Sequence, residues 1–407
     1  MQLVERHIIT PTNKHYKELD EATFKSKNLY NSTLYAIRQQ FFEEAKYLSY
    51  ATLQKQFQDT KQQDYTALPS KVAQQTMKQV DTNFRAFFKA LKAYKSNPSK
   101  FNGRPKLPKY KHKTDGRFIL TYTNQAISKR ECDRDGVIHP SGLEFKFKTK
   151  ISYQDINQVR IVPKCNYFVI EVIYKVPDCN LLTDNGKYAA IDLGINNLTT
   201  LTSNIIGDTP MVISGKVVKS YNQYYNKQVA HYKSILELQN GRKTSRRIRR
   251  LHLKRKFKIE DYMHKTSRYI VNQLVSKGIN TLIIGKNDGW KQDINIGKVN
   301  NQKFVQIPFE SLLNKLQYKC SLVGINVELV NESYTSKCSF LDDETIEKHE
   351  EYVGKRIHRG LFRSAQGTLI NADVNGSYNI LRKSKPKAFV DGVEGVVVHP
   401  VILRIIN

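Results

Sequence analysis

A chain of 407 residues with 40% hydrophobic and 25% charged residues carries enough apolar material for several packed domains, which excludes wholesale disorder. Its 66 Lys and Arg against 37 Asp and Glu leave a net charge of +29, a self-repulsion that a polyanion would offset, so nucleic acid is the expected partner. Five scattered cysteines without a Cys-x-x-Cys pair, no apolar signal core and no membrane-length apolar run exclude a disulfide framework and predict a cytosolic protein with no membrane partner.

In chain order, QLVERHII (2–9) reads as a short strand, and a helical pattern follows over about 14–96. Its clearest part, 69–93, steps through Ala73, Met77, Val80, Phe84, Phe87 and Leu91 on one helical face, with Pro69 and Ser70 as a start signal. KSNPSKFNGRPKLPKYKHKTDG (95–116) is broken by Pro and Gly and reads as a basic linker. In it Lys106, Lys109 and Lys111 are candidates for phosphate contact and Tyr110 for stacking on an unpaired base; a plain solvated linker is the alternative. Runs at 117–123, 143–149, 158–163 and 166–176 are rich in Val, Ile, Tyr and Phe and predict a small β-barrel or sandwich that strand 2–9 completes.

After the polar break at 178–186 the pattern changes. KYAAIDLG, LTTLTS and PMVISG are three short strands, and a long helical region covers about 217–278. Strand TLIIG (281–285), helix 306–323, strand INVELV (325–330), an irregular insertion and a helix from about 373 complete the order. That order is the one found in ribonuclease H-like folds. Asp192 ends an apolar strand and Asp373 opens a helix, positions that suit hard-cation ligands; strand termination and helix capping are the alternative roles. The run GRKTSRRIRRLHLKRKFK (241–258) holds no acid, and its Arg242, Arg246, Arg247, Arg249, Arg250 and Lys254 are candidates for nucleic-acid contact.

Together these motifs resemble TnpB, the RNA-guided DNA nuclease of insertion sequences that is related to type V CRISPR effectors. The resemblance runs through LPSKVAQQTMKQVDTNFRAFFK, FNGRPKLPKYK, IDLGINNLTTL, DYMHKTSRYIV, ESYTSKCS and NADVNGSYNIL. It implies a multidomain α/β protein with a helical recognition domain at 13–96 and an oligonucleotide-binding wedge β-barrel from 1–12 and 97–180. A ribonuclease H-like (RuvC) nuclease domain would be built from 185–336 and 368–407, with a target-nucleic-acid-binding insertion at 337–367. It further implies two Mg²⁺ ions, a guide RNA from the transposon end, a double-stranded target with a short flanking motif, and a prokaryotic cytoplasm with nucleoid association. Asp192 and Asp373 match the family's first and last catalytic carboxylates.

Two departures follow. The family ends its fourth strand in Glu, where this chain has Gly285, Lys286 and Asn287; and of the zinc-ribbon cysteines only Cys338 remains, so zinc is not expected. Glu332 follows the fifth strand, which neighbours the fourth at about 4.8 Å, and could fill the gap as a relocated second carboxylate. Glu328 and Asp288 are weaker substitutes, and Asn287 could offer only an amide oxygen. Thr335 and Ser336 could bond a substrate phosphate or simply shape the turn. The competing expectation is a nuclease-inactive RNA-guided DNA-binding protein.

Overall fold

A computed structural model describes the chain apart from residues 45, 288–296, 391, 394 and 406–407, and without the side chains of 240, 298–300 and 303. It divides into two compact units, Met1–Pro177 and Asp178–Asn407.

In the first unit, β1 (Gln2–Ile9) leads into α1 (Tyr16–Glu44), α2 (Tyr50–Asp59), α3 (Gln63–Thr66) and α4 (Ser70–Ser96). The remainder is β2 (Leu120–Thr123), α5 (Lys129–Asp135), β3 (Val137–Ile138), β4 (Phe147–Lys148), β5 (Ile156–Pro163) and β6 (Phe168–Lys175). Strand β1 pairs along its whole length with β6, so the helical block is inserted between two neighbouring strands. The sheet order is β1-β6-β5-β2, antiparallel throughout; β1 and β2 stay at its edges, so backbone pairing does not close the expected barrel. The run 143–149 yields only the two residues of β4, because Leu143 and Phe145 sink into the core without a strand partner. Nor is the basic linker loose. Asn31 of α1 bonds both the N–H and the C=O of Lys111, Lys27 donates to Lys113 O and Arg38 to Pro108 O, strapping the segment along α1.

The second unit opens with β7 (Tyr188–Leu193), β8 (Asn197–Ser203) and β9 (Met211–Ser214), then α6 (Lys216–Asn240) and α7 (Arg246–Ser276). The predicted single helical region breaks at Gly241, whose φ of 66° ends α6 in a left-handed cap. There follow β10 (Thr281–Gly285), α8 (Lys298–Val305), α9 (Phe309–Ser321), β11 (Asn326–Val330), β12 (Lys355–His358), β13 (Leu361–Arg363), β14 (Leu369–Asn371), α10 (Ala372–Ser384) and β15 (Val401–Leu403). The main sheet is ordered β11-β10-β7-β8-β9-β15. Strands β7, β8 and β9 form an antiparallel meander, while β10 and β11 join parallel to β7, as in ribonuclease H-like folds. The tail's β15 adds a parallel strand beside β9.

Strand alternation decides which residues meet. Ala189, Ile191 and Leu193 of β7, with Leu282 and Ile284 of β10, pack in the core that includes Ile270, Val271 and Leu274 of α7 and Leu312 and Leu316 of α9. Ala190 and Ile283 face the other way, onto Ile380 and Leu381 of α10. Asp192 and Gly285 therefore share the face that α10 covers. Helix α10 is pinned there by the fully buried Ser377, whose hydroxyl donates to Ala190 O and Thr200 O and bonds the Thr202 hydroxyl. It is tied to the segment before it, after β11, by the buried Asn375 and Asn379: Asn379 Nδ2 donates to Thr335 O and Cys338 O, and Asn375 Nδ2 donates to Cys338 O while its Oδ1 accepts from Phe340 N.

Asn379→Leu removes both donors and leaves the Thr335 carbonyl buried without that partner. It should destabilise the protein by about 1–3 kcal/mol, read as a lower urea midpoint at unchanged slope. A loss below about 0.5 kcal/mol, the size of an ordinary surface change, would show that these ties do not hold α10.

Candidate active site

Three carboxylates gather where α10 begins. Asp192 sits one residue before the end of β7, on the α10 side. Asp373 lies in the first turn of α10, but it is not the cap: Asn371 is, its Oδ1 accepting from the N–H groups of Asp373 and Val374 at 3.0 and 3.2 Å. The Asp373 carboxylate is thereby left for other work, and it accepts from Asn197 Nδ2 at 2.5 Å and faces Arg356 Nη2 at 3.9 Å. Glu332 follows β11. A Cβ built on Gly285 would lie 3.0 Å from Glu332 Oε2, so the glutamate's carboxylate occupies the space into which a side chain at 285 would grow.

Electrostatics show that the three share one neighbourhood. The Asp192 carboxyl is pushed well above the usual carboxylate range, first by withdrawal from water, then by the Asp373 and Glu332 carboxylates; the Arg356 guanidinium and the Leu193 N–H pull the other way. Burial also raises Glu332. Among the described residues no three acidic, His or Cys side chains converge closely enough to clasp an ion as they stand. The donor set nonetheless suits a hard divalent cation: three carboxylates, and α10 bearing Gly376, where a Cβ would stand 3.1 Å from Asp192 Oδ2.

The other expectations sort themselves around this centre. Asn287 Nδ2 donates to Glu332 Oε1 at 3.1 Å and its Oδ1 accepts from Glu332 N at 3.2 Å, so it holds the glutamate rather than replacing it. Glu328 shares the α10 face but lies at the helix's other end, bound by Lys385 Nζ and Ser384 Oγ. Lys286 turns to Glu310. Asp288 lies outside the described residues. Thr335 is buried, its hydroxyl donating to Glu332 O, which makes it turn chemistry instead of a phosphate contact; Ser336 is exposed. The turn carries strain, with Tyr334 at φ 68°, and the Thr335 and Asn379 bonds hold it. Cys338 is buried against Glu347 O, while His349 and His358 bond backbone carbonyls.

Of the basic candidates, Lys106, Lys109, Arg242, Arg246, Arg247, Arg250 and Lys254 are exposed, and Arg249 is half-buried. Tyr110 is exposed, with Arg38 over its ring at 4.7 Å, whereas Lys111 turns inward over Tyr30 and Phe118 and serves packing. Sequence reasoning passed over Asn371, Asn197, Gly376 and Arg356. Two of them left a trace: Asn two residues before an Asp at a helix start is a strong cap, and Gly inside a helix is costly without a reason.

A meander with two parallel strands, and carboxylates at the end of its first strand and the start of its last helix, define a ribonuclease H-like domain. Residues 171–291 match the family model described as "Probable transposase" (OrfB_IS605), and 309–380 match that of the "Cas12f1-like, TNB domain". A TnpB-like protein, ORF457 of Acidianus two-tailed virus, is 26% identical over 207 residues, which cover 49% of this chain and 42% of that protein; the match thus spans less than half of the relative's length. Among solved structures, a Cas12f1–sgRNA–target DNA complex aligns over 95% of this chain and 100% of that one at 16% identity and a TM-score of 0.38. The mini-RNA-guided endonuclease CRISPR-Cas_phi3 aligns over 98% of this chain and 94% of that one at 12% identity and a TM-score of 0.47. Over these segments the chain is similar to transposase-associated proteins of the TnpB type.

Because Asp192 is harder to ionise in the folded protein than in the unfolded chain, the fold binds the extra proton. Stability should then fall as pH rises from the unfolded value near 3.8 toward the raised folded one. In metal-free protein at pH 7–8, Asp192→Asn should melt higher by roughly 2–4 °C per kcal/mol recovered, and the gain should vanish below pH 4. Differential scanning calorimetry at both pH values checks it; an equal gain at both would contradict the repulsion.

Proposed function

We propose that this protein is an RNA-guided DNA endonuclease of a transposable element, with Asp192, Glu332 and Asp373 as its catalytic carboxylates and Glu332 standing in for the glutamate that the fourth strand lacks. The observation that carries the reading is the Glu332 carboxylate lying where a side chain on Gly285 would begin, within the field of Asp192. The resemblance to TnpB supplies the expectation of a guide RNA, a target duplex with a short flanking motif and Mg²⁺. Sequence would be read by base pairing, and the protein would read backbone shape and the flank. The net charge of +29 fits a polyanionic partner of that size.

The three carboxylates would hold two Mg²⁺ ions, which when bound supply charge stabilisation to a phosphodiester under attack and lower the pKa of a nucleophilic water. The chain's own residues prepare the place. Asn287 fixes the Glu332 side chain and backbone, Asn371 caps α10 so that the Asp373 carboxylate stays available, and Asn197 orients it. Ser377 keeps α10 against β7 and β8. One observation favours a second reading, a guided binder that does not cut: among the described residues the acids do not converge to ion-clasping distance.

The test is plasmid cleavage by the ribonucleoprotein formed with the chain's own transposon-end RNA, in Mg²⁺, on a guide-matched target with a randomised flank. Wild type should cut, while Asp192→Asn and Glu332→Gln should lose at least about a hundredfold in rate, a loss of the size expected for removing one charged catalytic group, yet still bind target. Glu328→Gln should cut normally. Cutting by Glu332→Gln would reject the relocated carboxylate, and target binding by wild type without cutting would favour the binder.

A further inference from the structure

Helices α6 and α7 are joined by three tyrosine–cation rungs: Arg247 lies over Tyr232 at 4.6 Å, Arg255 over Tyr225 at 5.1 Å and Lys258 over Tyr221 at 4.8 Å. The rungs descend α6 as they climb α7, so the pair is an antiparallel hairpin, and the tyrosines four and seven residues apart keep to one face of α6. Beside the lower two rungs opens a cleft of ≈ 280 Å³, lined among others by Tyr221, Tyr224, Tyr225, Lys254, Arg255 and Lys258. That volume is at the lower edge of small-ligand pockets, roughly 300–1,000 Å³.

Packing accounts for the rungs but not for the rest. Tyr224 lies outside every rung and leaves 58% of its surface in solvent at the cleft. Three cations line the cleft, and among the described lining residues none is acidic. Arg255 is half-buried and spends its hydrogen bonds on the uncharged Asn222 Oδ1 and Gln306 O. An aromatic face beside uncompensated positive charge matches one ligand chemistry, a planar base carrying phosphates on either side.

We propose that the α6–α7 cleft binds an unpaired nucleotide of a single strand, its base stacked on Tyr224 and its flanking phosphates held by Lys254 and Lys258. The proposal shares with the preceding reading a nucleic-acid partner, and depends on neither guide-directed recognition nor cleavage. A duplex, whose bases are stacked on each other, could reach the lysines but not the ring.

The full chain in EDTA is titrated with a fluorescent ten-nucleotide oligouridylate, the matching thymidylate DNA and a duplex of equal length. In parallel, oligouridylate carrying 4-thiouridine is photo-crosslinked and the adduct mapped by mass spectrometry. Expected are crosslinks at Tyr224 or Tyr225, and a loss for Tyr224→Ala of about fivefold or more on single strands, the lower end for base stacking on an aromatic ring. Duplex binding should be unchanged and Tyr224→Phe should bind as wild type. Tighter RNA binding would assign the strand to a guide, tighter DNA binding to a displaced target strand, and both uphold the site. Unchanged single-strand affinity, equal losses on duplex and single strand, or crosslinks confined to other helices would overturn it. Because no metal or cutting is involved, the cleft can fail while the nuclease reading survives, and the reverse.

Discussion

Carboxylates held side by side without a cation repel one another, and the second unit is built to hold three of them in one neighbourhood. Each arrives by strand or helix geometry rather than by attraction. Strand alternation turns Asp192 to the face that α10 covers, the Asn371 cap leaves Asp373 free at the helix start, and the turn after β11 brings in Glu332. Asp192 records the cost, its carboxyl raised by withdrawal from water and by both neighbours. Such stored repulsion persists only where the surrounding structure over-determines the geometry, and α10 is over-determined by Ser377, Asn375 and Asn379.

On the proposed reading, Gly285 and Glu332 are one change made in two places. Parallel strands β10 and β11 are adjacent, with Gly285 beside Val330, so a side chain reaching from just past β11 can enter the space over Gly285. Both could not be kept without rearrangement. A Cβ at 285 would meet Ile380 Cδ1 at 2.6 Å and Glu332 Oε2 at 3.0 Å. Asn287 holds Glu332 in that space by bonding both its side chain and its backbone. Glu328 shows why parity alone is not enough: it points to the same face but is neutralised by Lys385 at the far end of α10.

What the sequence revealed followed the range of the forces involved. Element order, with Asp192 at a strand end, could be read from apolar periodicity, because strand and helix periods are local; the adjacency of the fourth and fifth strands came from the resemblance to a known fold. The relation of Glu332 to Gly285 followed from that adjacency. The strapped linker could not be read, since it depends on Asn31 bonding a backbone 80 residues away. Lys111 looked like a phosphate ligand for the same reason, its ring partners Tyr30 and Phe118 being assembled only by the fold. Thr335 was ambiguous until the fold buried it and turned its hydroxyl to Glu332 O, and run 143–149 has a strand's composition but no partner for most of its length.

The most direct test of the central claim is metal binding itself, apart from cutting. Mn²⁺ titrated into the target-bound ribonucleoprotein and followed by electron paramagnetic resonance counts ions and gives their affinity. The account predicts that Glu332→Gln and Asp192→Asn each weaken binding by at least about tenfold, as loss of a charged ligand should, while Glu328→Gln binds as wild type does. Wild-type affinity in Glu332→Gln would contradict it, because the carboxylate beside Gly285 would then hold no metal.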